Sequence, residues 1–329
     1  MQRKIYENRD ITIPSGLNVM IAISSYVIAG FCLWGAAHST TILAKLLFAI
    51  AFSYVGNTIF SLLHESVHKV FSSSSKLNYI FGNLSAAFFP TGFTLQRAFH
   101  LGHHRRNRTD YEMFDMYYST DLKPLKYLQW YFVITGFYWT SAPIAGILYL
   151  LAPGLLKVKV LRSKDPRVQH MSADAMLAGI EKINTKYARV ELLFTLLFQA
   201  SLFYFLGLNF WSWILCYWCF AINWGSLQYA DHAWTPRDIK NGAWNLKVNP
   251  VVHWIFLHYH HHKAHHQNPF VPWLHLHRFV DFKEHRPTHF GIWLKMWKGP
   301  TPATSETPPL PLDQKFEDVL YQGLKEQVR

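Results

Sequence analysis

The chain has 329 residues, half of them hydrophobic, 17% aromatic and only 16% charged, with a net charge of +12 when histidine is neutral. Charged residues make up about a quarter of an ordinary soluble domain, so this composition excludes one and points to lipid. The basic balance does not mark a nucleic-acid binder: the positive residues cluster between apolar runs, in KVKVLRSKDPR (157–167) and KYAR (186–189), as positive-inside loops beside anionic lipid do.

Four stretches carry no Asp, Glu, Lys or Arg: 11–44, 77–96, 127–156 and 192–230. A helical span needs about 20 apolar residues, so the last can cross a bilayer twice. The N-terminal MQRKIYENRD is too charged for a signal peptide and favours an inside start. Spans over 17–36 and 41–63 then form an antiparallel hairpin with His38 as a bystander in its outer turn and His64 at its inner end. The segment 76–97, interrupted by Gly82, Pro90 and Gly92, is expected to be interfacial or re-entrant, because a single crossing would separate His64 from His100.

Residues 127–156 are apolar enough to span, and Thr140-Ser141-Ala142-Pro143 could break them in the middle. Two halves of about 15 residues reach only about 22 Å each, too short for a full double crossing, and the choice stays open here. The run at 190–230 forms a hairpin about Gly207-Leu208-Asn209 and delivers His232 to the inner face, with Gln228 one helical turn before it. The Pro-rich GPTPATSETPPLPLD (299–313) reads as an extended peripheral segment or a docking motif, leaving one membrane domain over 1–298 and a tail over 299–329. Cys32, Cys216 and Cys219 all fall in apolar runs and imply no disulfide framework. The expected fold is an all-α integral membrane protein with about four transmembrane helices, re-entrant or interfacial segments and a cytosolic-side histidine-rich cap.

Histidine is where the chemistry lies. HESVH carries His64 and His68, HLGHH carries His100, His103 and His104, and HYHHHKAHH carries His262, His265 and His266 at the same H-x-x-H-H spacing. Side chains three and four apart share a helix face, so each box can aim several ring nitrogens at one point. Imidazole suits zinc, copper, iron and nickel. Eight such rings, nine with His232, exceed the needs of one ion, so two metals are the natural stoichiometry. A loose His-rich tract would predict no partner boxes. HESVH also reads as H-E-x-x-H, the zinc protease pattern with Glu65 as general base, but that site needs three protein ligands and leaves at least five histidines unused.

The order and spacing of these boxes, over residues 40–285, resemble the three histidine boxes of the membrane fatty acid desaturase and hydroxylase superfamily. HHKAHHQNPFVPW resembles the family's third-box ending, and Gln228-x-x-x-His232 looks like its additional motif, with Gln228 where asparagine is frequent. The resemblance implies nine metal ligands, His64, His68, His100, His103, His104, His232, His262, His265 and His266, with Gln228 acting on the site indirectly or through water. It further implies two iron ions, dioxygen as co-substrate, an acyl chain as substrate and a separate electron donor of ferredoxin, rubredoxin or cytochrome b5 type. No H-P-G-G segment supplies a fused haem domain. Desaturation is the expected outcome. HESVHK and HLGHHRRNRTDYEMFD also resemble the alkane hydroxylase branch, so alkane or fatty acid hydroxylation is the alternative, ahead of a zinc protease. Bacterial inner membrane and endoplasmic reticulum both fit, with the active site on the cytosolic side.

The remaining residues carry weaker expectations. His253, His258, His260 and His261 could hydrogen-bond around the ligands, but surplus surface histidines are favoured; His275 and His277 are expected at the periphery. Asp110, Glu112 and Asp115 could orient ligand imidazoles or could merely balance Arg105, Arg106 and Arg108. Those arginines and Lys69 could receive an acidic electron carrier or a lipid headgroup, or simply obey topology.

Overall fold

The computed structural model describes residues 11–157 and 183–310. The basic N-terminal decapeptide, all of the basic 157–167 loop beyond Lys157 and the tail from 311 onward lie outside the described residues. The described chain is helical throughout apart from one pair of two-residue strands.

Helix α1 (Ser15–His38) and helix α2 (Ile42–Val67) form the expected hairpin. Thr41 caps α2 by accepting from the Ala44 amide at 3.2 Å. The two helices approach closely at Gly35, where a Cβ would stand 2.5 Å from the Phe48 ring. At 24 and 26 residues they reach about 36 and 39 Å, enough to cross a hydrocarbon core of about 30 Å. Their outward faces are apolar: Val27 and Leu43 are each 68% exposed. A surface of that kind is stable against lipid and not against water.

Helix α3 (Ser75–Phe88) and helix α4 (Phe93–Arg106) follow, with 14 residues each. At about 21 Å neither can cross, so this segment is re-entrant or interfacial, as its Gly and Pro content predicts. The turn between them is buried, and its carbonyls must be satisfied from within the protein. Tyr217 donates to the Phe88 carbonyl at 2.9 Å, Gln199 to Ala87 at 2.8 Å and Thr195 to Thr91 at 2.8 Å.

Helix α5 (Lys123–Ile134) continues through a 3-10 turn into helix α6 (Ser141–Leu151), and the pair bends by 87°. The bend is at Gly136, not at the expected Thr140–Pro143. Pro143 sits in the first turn of α6, where a missing amide donor costs nothing. Gly136 adopts φ +86, which other residues avoid, and a Cβ there would stand 2.9 Å from the Ile222 amide nitrogen.

Helix α7 (Thr185–Leu206) and helix α8 (Phe210–Ala230) make the second hairpin, with Gly207 at φ +58 ending α7 and the Asn209 side chain capping α8 at the Ser212 amide, 2.9 Å. Helices α1, α2 and α7 are long and apolar enough to cross a membrane, and the bent α5–α6 pair can be a fourth span. Helix α8 carries no charged residue and has four tryptophans among its 21 residues; it packs on α2 through Phe52, whose ring centroid is 5.0 Å from that of Tyr217.

The cap beyond α8 contains helix α9 (Pro250–Ile255), helix α10 (His262–Gln267) and helix α11 (His289–Met296). Strand β1 (Met116–Tyr117) pairs in parallel with strand β2 (Thr301–Pro302), which ties the start of the Pro-rich tail to the cap.

Candidate metal centre

Three short helical turns and one helix end supply the site. His64 lies in the last turn of α2 and His68 caps it, so a spacing of four puts both rings on one side. Helix α4 turns His100 and His104 to the same side and His103 away from it, and α10 splits its box likewise, His265 going one way and His262 and His266 the other. His232 arrives just past the end of α8.

The eight histidines singled out by spacing, together with His232, thus fall into two groups. In the first, His64, His68, His100, His104 and His265 bring five ring nitrogens within 4.8 Å of one another. Neighbouring Nε2 atoms are 2.7 Å apart for His68 and His100 and 3.0 Å apart for His100–His104, His104–His265 and His64–His265. In the second group, His103, His232, His262 and His266 converge, with 3.2 Å between the Nε2 atoms of His103 and His266 and of His262 and His266.

Several observations fit these rings to metal ions. For metal–nitrogen bonds of about 2.1 Å, adjacent ligand atoms stand about 3 Å apart, the spacing found here. Burial holds the imidazoles of His68, His100, His104, His232, His262, His265 and His266 well below their usual pKa, so each presents a lone pair instead of a second proton. His232 donates Nδ1–H to the Gly242 carbonyl at 2.8 Å, which fixes the tautomer and leaves Nε2 buried without a hydrogen-bond partner among the described residues. Asp231 is fully buried, and neither of its oxygens has a hydrogen-bond partner among the described residues. They lie 3.8 Å from His232 Nε2 and 3.5 Å from His262 Nδ1. Burial pushes this carboxyl well above its usual range, and a cation in the adjacent group is the charge that would hold it ionised.

The acidic residues expected to orient ligands divide. Glu112 bonds His103 Nδ1 at 2.6 Å and pairs with Arg106 at 3.3 Å, so it does orient a ring of the second group. Asp115 is bound instead to buried Arg108 at 2.7 Å and to the Trp234 amide at 2.6 Å, and Asp110 to Arg237 at 2.7 Å. Arg108 has no exposed surface and Arg106 is 9% exposed, which removes both from the expected docking surface. Asp231 was not foreseen; its only sequence signal is adjacency to His232 in QYADHAW.

Gln228 belongs to neither group. Its amide oxygen accepts from the Tyr259 hydroxyl at 2.9 Å, and its amide nitrogen is buried without a partner among the described residues. Glu65 accepts from the Trp273 amide at 3.0 Å and lies 3.9 Å from His64 Nδ1. The expectation that His258, His260 and His261 are surface residues is wrong: they are 3%, 1% and 3% exposed. His275, bonded to the Thr12 carbonyl at 3.0 Å, is also buried, by the chain entering α1.

A cavity of about 280 Å³ opens beside the site. His100, His103, His232 and His262 line it together with aromatic and aliphatic side chains such as Phe60, Phe89, Trp224 and Val133, and Arg106, Glu112, Gln129 and Gln228 are among its polar groups. An apolar chamber ending on imidazoles suits an alkyl substrate held against metal.

The fold and site together define a helical membrane protein with histidine-built metal centres beside an apolar chamber. The family model described as fatty acid desaturase matches residues 39–293, and the chain belongs to that family. Comparison with curated proteins finds no match. Membership makes the protein a membrane oxidoreductase of the desaturase and hydroxylase type; the family is iron-dependent and lipid-processing, and the histidine groups of this chain could bind metal.

Proposed function

We propose that the protein is a dioxygen-dependent fatty acid desaturase that introduces a double bond into an acyl chain. His64, His68, His100, His104 and His265 would hold one iron, and His103, His232, His262 and His266 a second. The convergence of nine imidazoles in two groups beside a mostly apolar chamber carries this reading. Iron held by these residues would supply the chemistry that activates dioxygen and a C–H bond, with two electrons from a separate donor of ferredoxin, rubredoxin or cytochrome b5 type. The two hydrogens given up by a CH2–CH2 unit, with two electrons and two protons, would reduce O2 to two waters and leave a double bond.

The residues of the chain bind, orient and exclude. Phe60, Phe89 and Trp224 shield the acyl chain from water and bring its carbons to the wall formed by His103, His232 and His262. Glu112 holds the His103 ring and Asp231 faces His232 and His262, so the second group carries the negative charge that tunes it. Gln228, buttressed by Tyr259, offers an amide N–H on the chamber wall at the end of the substrate space. It would position the chain or a water and not bind metal directly.

Hydroxylation of an alkane or fatty acid is the second reading, favoured by the HESVHK and HLGHH boxes. It uses the same ligands and returns one oxygen atom to carbon. One membrane domain over 1–298 with a peripheral tail over 299–329, set in a bacterial inner membrane or the endoplasmic reticulum with its site on the cytosolic side, completes the proposal. Lipid profiling of cells expressing the protein, beside a His104→Ala control, tests it. New unsaturated acyl chains that vanish in the control are expected; new alcohols would transfer the assignment to the hydroxylase, and an unchanged profile with one zinc per chain would leave a protease.

A further inference from the structure

We propose that His253, His260 and His261 bind a third metal ion, a zinc separate from the two irons. The distinction from the two irons rests on the functional reading above, and the test below lets either fail alone.

These three rings belong to neither group already described. His253 lies in the last turn of α9, and His260 and His261 lie in the loop leading into α10. Each offers one nitrogen within 4.8 Å of the other two. The Nδ1 of His253 and the Nε2 of His260 are 3.1 Å apart, the same edge length as in the two larger groups. The centroids of His260 and His261 stand 4.2 Å apart, and those of His253 and His261 5.7 Å.

Burial turns this proximity into evidence of a ligand. His260 and His261 are 1% and 3% exposed, and the Nδ1 of each is buried without a hydrogen-bond partner among the described residues. Leaving the His261 Nδ1 unsatisfied costs on the order of 1–3 kcal/mol, a cost that an ion bound through that atom would offset, with His260 facing the same point through its Nε2. His258 packs against His253 with centroids 4.0 Å apart and donates Nδ1–H to the Trp273 carbonyl at 3.0 Å. That bond fixes its tautomer and leaves its Nε2 buried without a hydrogen-bond partner among the described residues. Leu257 and His258 are both in the left-handed region, at φ 46 and 57, although neither is glycine. The cost of these two conformations is met by the loop they shape, which returns His260 to His253. The one guanidinium nearby, that of Arg286, is engaged by the Asn245 and Leu246 carbonyls at 3.0 and 3.1 Å.

Three imidazoles with no carboxylate form a neutral donor set of the kind that holds zinc with one position left open. His261 is also the residue that begins α10 and immediately precedes His262. An ion there would pin the start of the helix that carries His262, His265 and His266, so its role is to position that helix.

Metal analysis of the purified full-length protein, equilibrated with one equivalent of Zn2+ and freed of excess by gel filtration, tests the proposal. About one zinc per chain is expected beyond the iron, falling about tenfold in His253→Phe and in His260→Gln while the iron content stays unchanged. Replacing the zinc with Co2+ should give visible d–d bands that both variants lack. Wild-type protein that retains no such zinc overturns the proposal, whether or not the variants fold. So do zinc retained in both variants, and iron lost together with zinc, since the site would then be absent or part of the iron pair. A His253-dependent zinc in a chain with fewer than two irons would uphold this site and defeat the functional reading.

Discussion

The two large histidine groups differ in enclosure and charge. The five-histidine group is a chain of rings, His68–His100–His104–His265–His64, with Nε2 atoms 2.7–3.0 Å apart, and it shows only His100 to the chamber and has one carboxylate beside it, Glu65 at 3.9 Å from His64 Nδ1. The four-histidine group shows His103, His232 and His262 to the chamber and has two carboxylates against it, Glu112 and Asp231. The difference teaches a division of labour. A closed cage holds an ion tightly and hides it, whereas an open cage with a second carboxylate against it leaves room for substrate and brings more negative charge to the site. We therefore propose that substrate meets the second group and that the first supports it.

Breaking the closed cage should have the largest effect. His265→Ala removes a ring that joins His64 and His104, and activity should fall by at least about a thousandfold, with one iron lost per chain, as read by product analysis and metal content. Asp231→Asn should lower metal affinity at the second group by about 10–100-fold while the first keeps its ion, measured by chelator competition. Loss from both groups alike would erase the proposed distinction.

Smaller effects sharpen the comparison. Glu112→Gln keeps an acceptor for His103 but removes the charge, so turnover should fall about tenfold with little change in iron content. Gly136→Ala lies outside both groups: the left-handed φ and a Cβ 2.9 Å from the Ile222 amide should cost about 1–3 kcal/mol, seen as a lower Tm with iron unchanged. An iron loss in that variant would show that the α5–α6 bend shapes the site.

Much of this could be read from the residues alone. Histidines three and four apart on a turn announce a shared face whatever the tertiary fold, so eight of the nine members of the two groups were visible in the boxes, and the ninth, His232, only through its place after the second hairpin and its likeness to the family's additional motif. Gly207 and Asn209 ended and began their helices where a turn residue and a capping residue belong. How each box divides between the groups was not legible, because it depends on how α4 and α10 cross. Asp231 was hidden because a lone acid after an apolar run looks like an interfacial residue until its burial is known. The α5–α6 bend was misplaced because Pro143 is a strong breaker within a helix and a harmless one in its first turn. His253 and His260 are seven residues apart, and only the left-handed turn at Leu257–His258 brings them together.

The most direct measurement is iron Mössbauer spectroscopy, with metal quantitation, on the purified full-length protein reconstituted with 57Fe. Two irons per chain in two distinguishable nitrogen-rich environments, with the second signal selectively altered by Asp231→Asn, are expected from two unlike cages. A single iron environment, or one metal ion per chain bound regardless of His232 and His265, would contradict the paired centre.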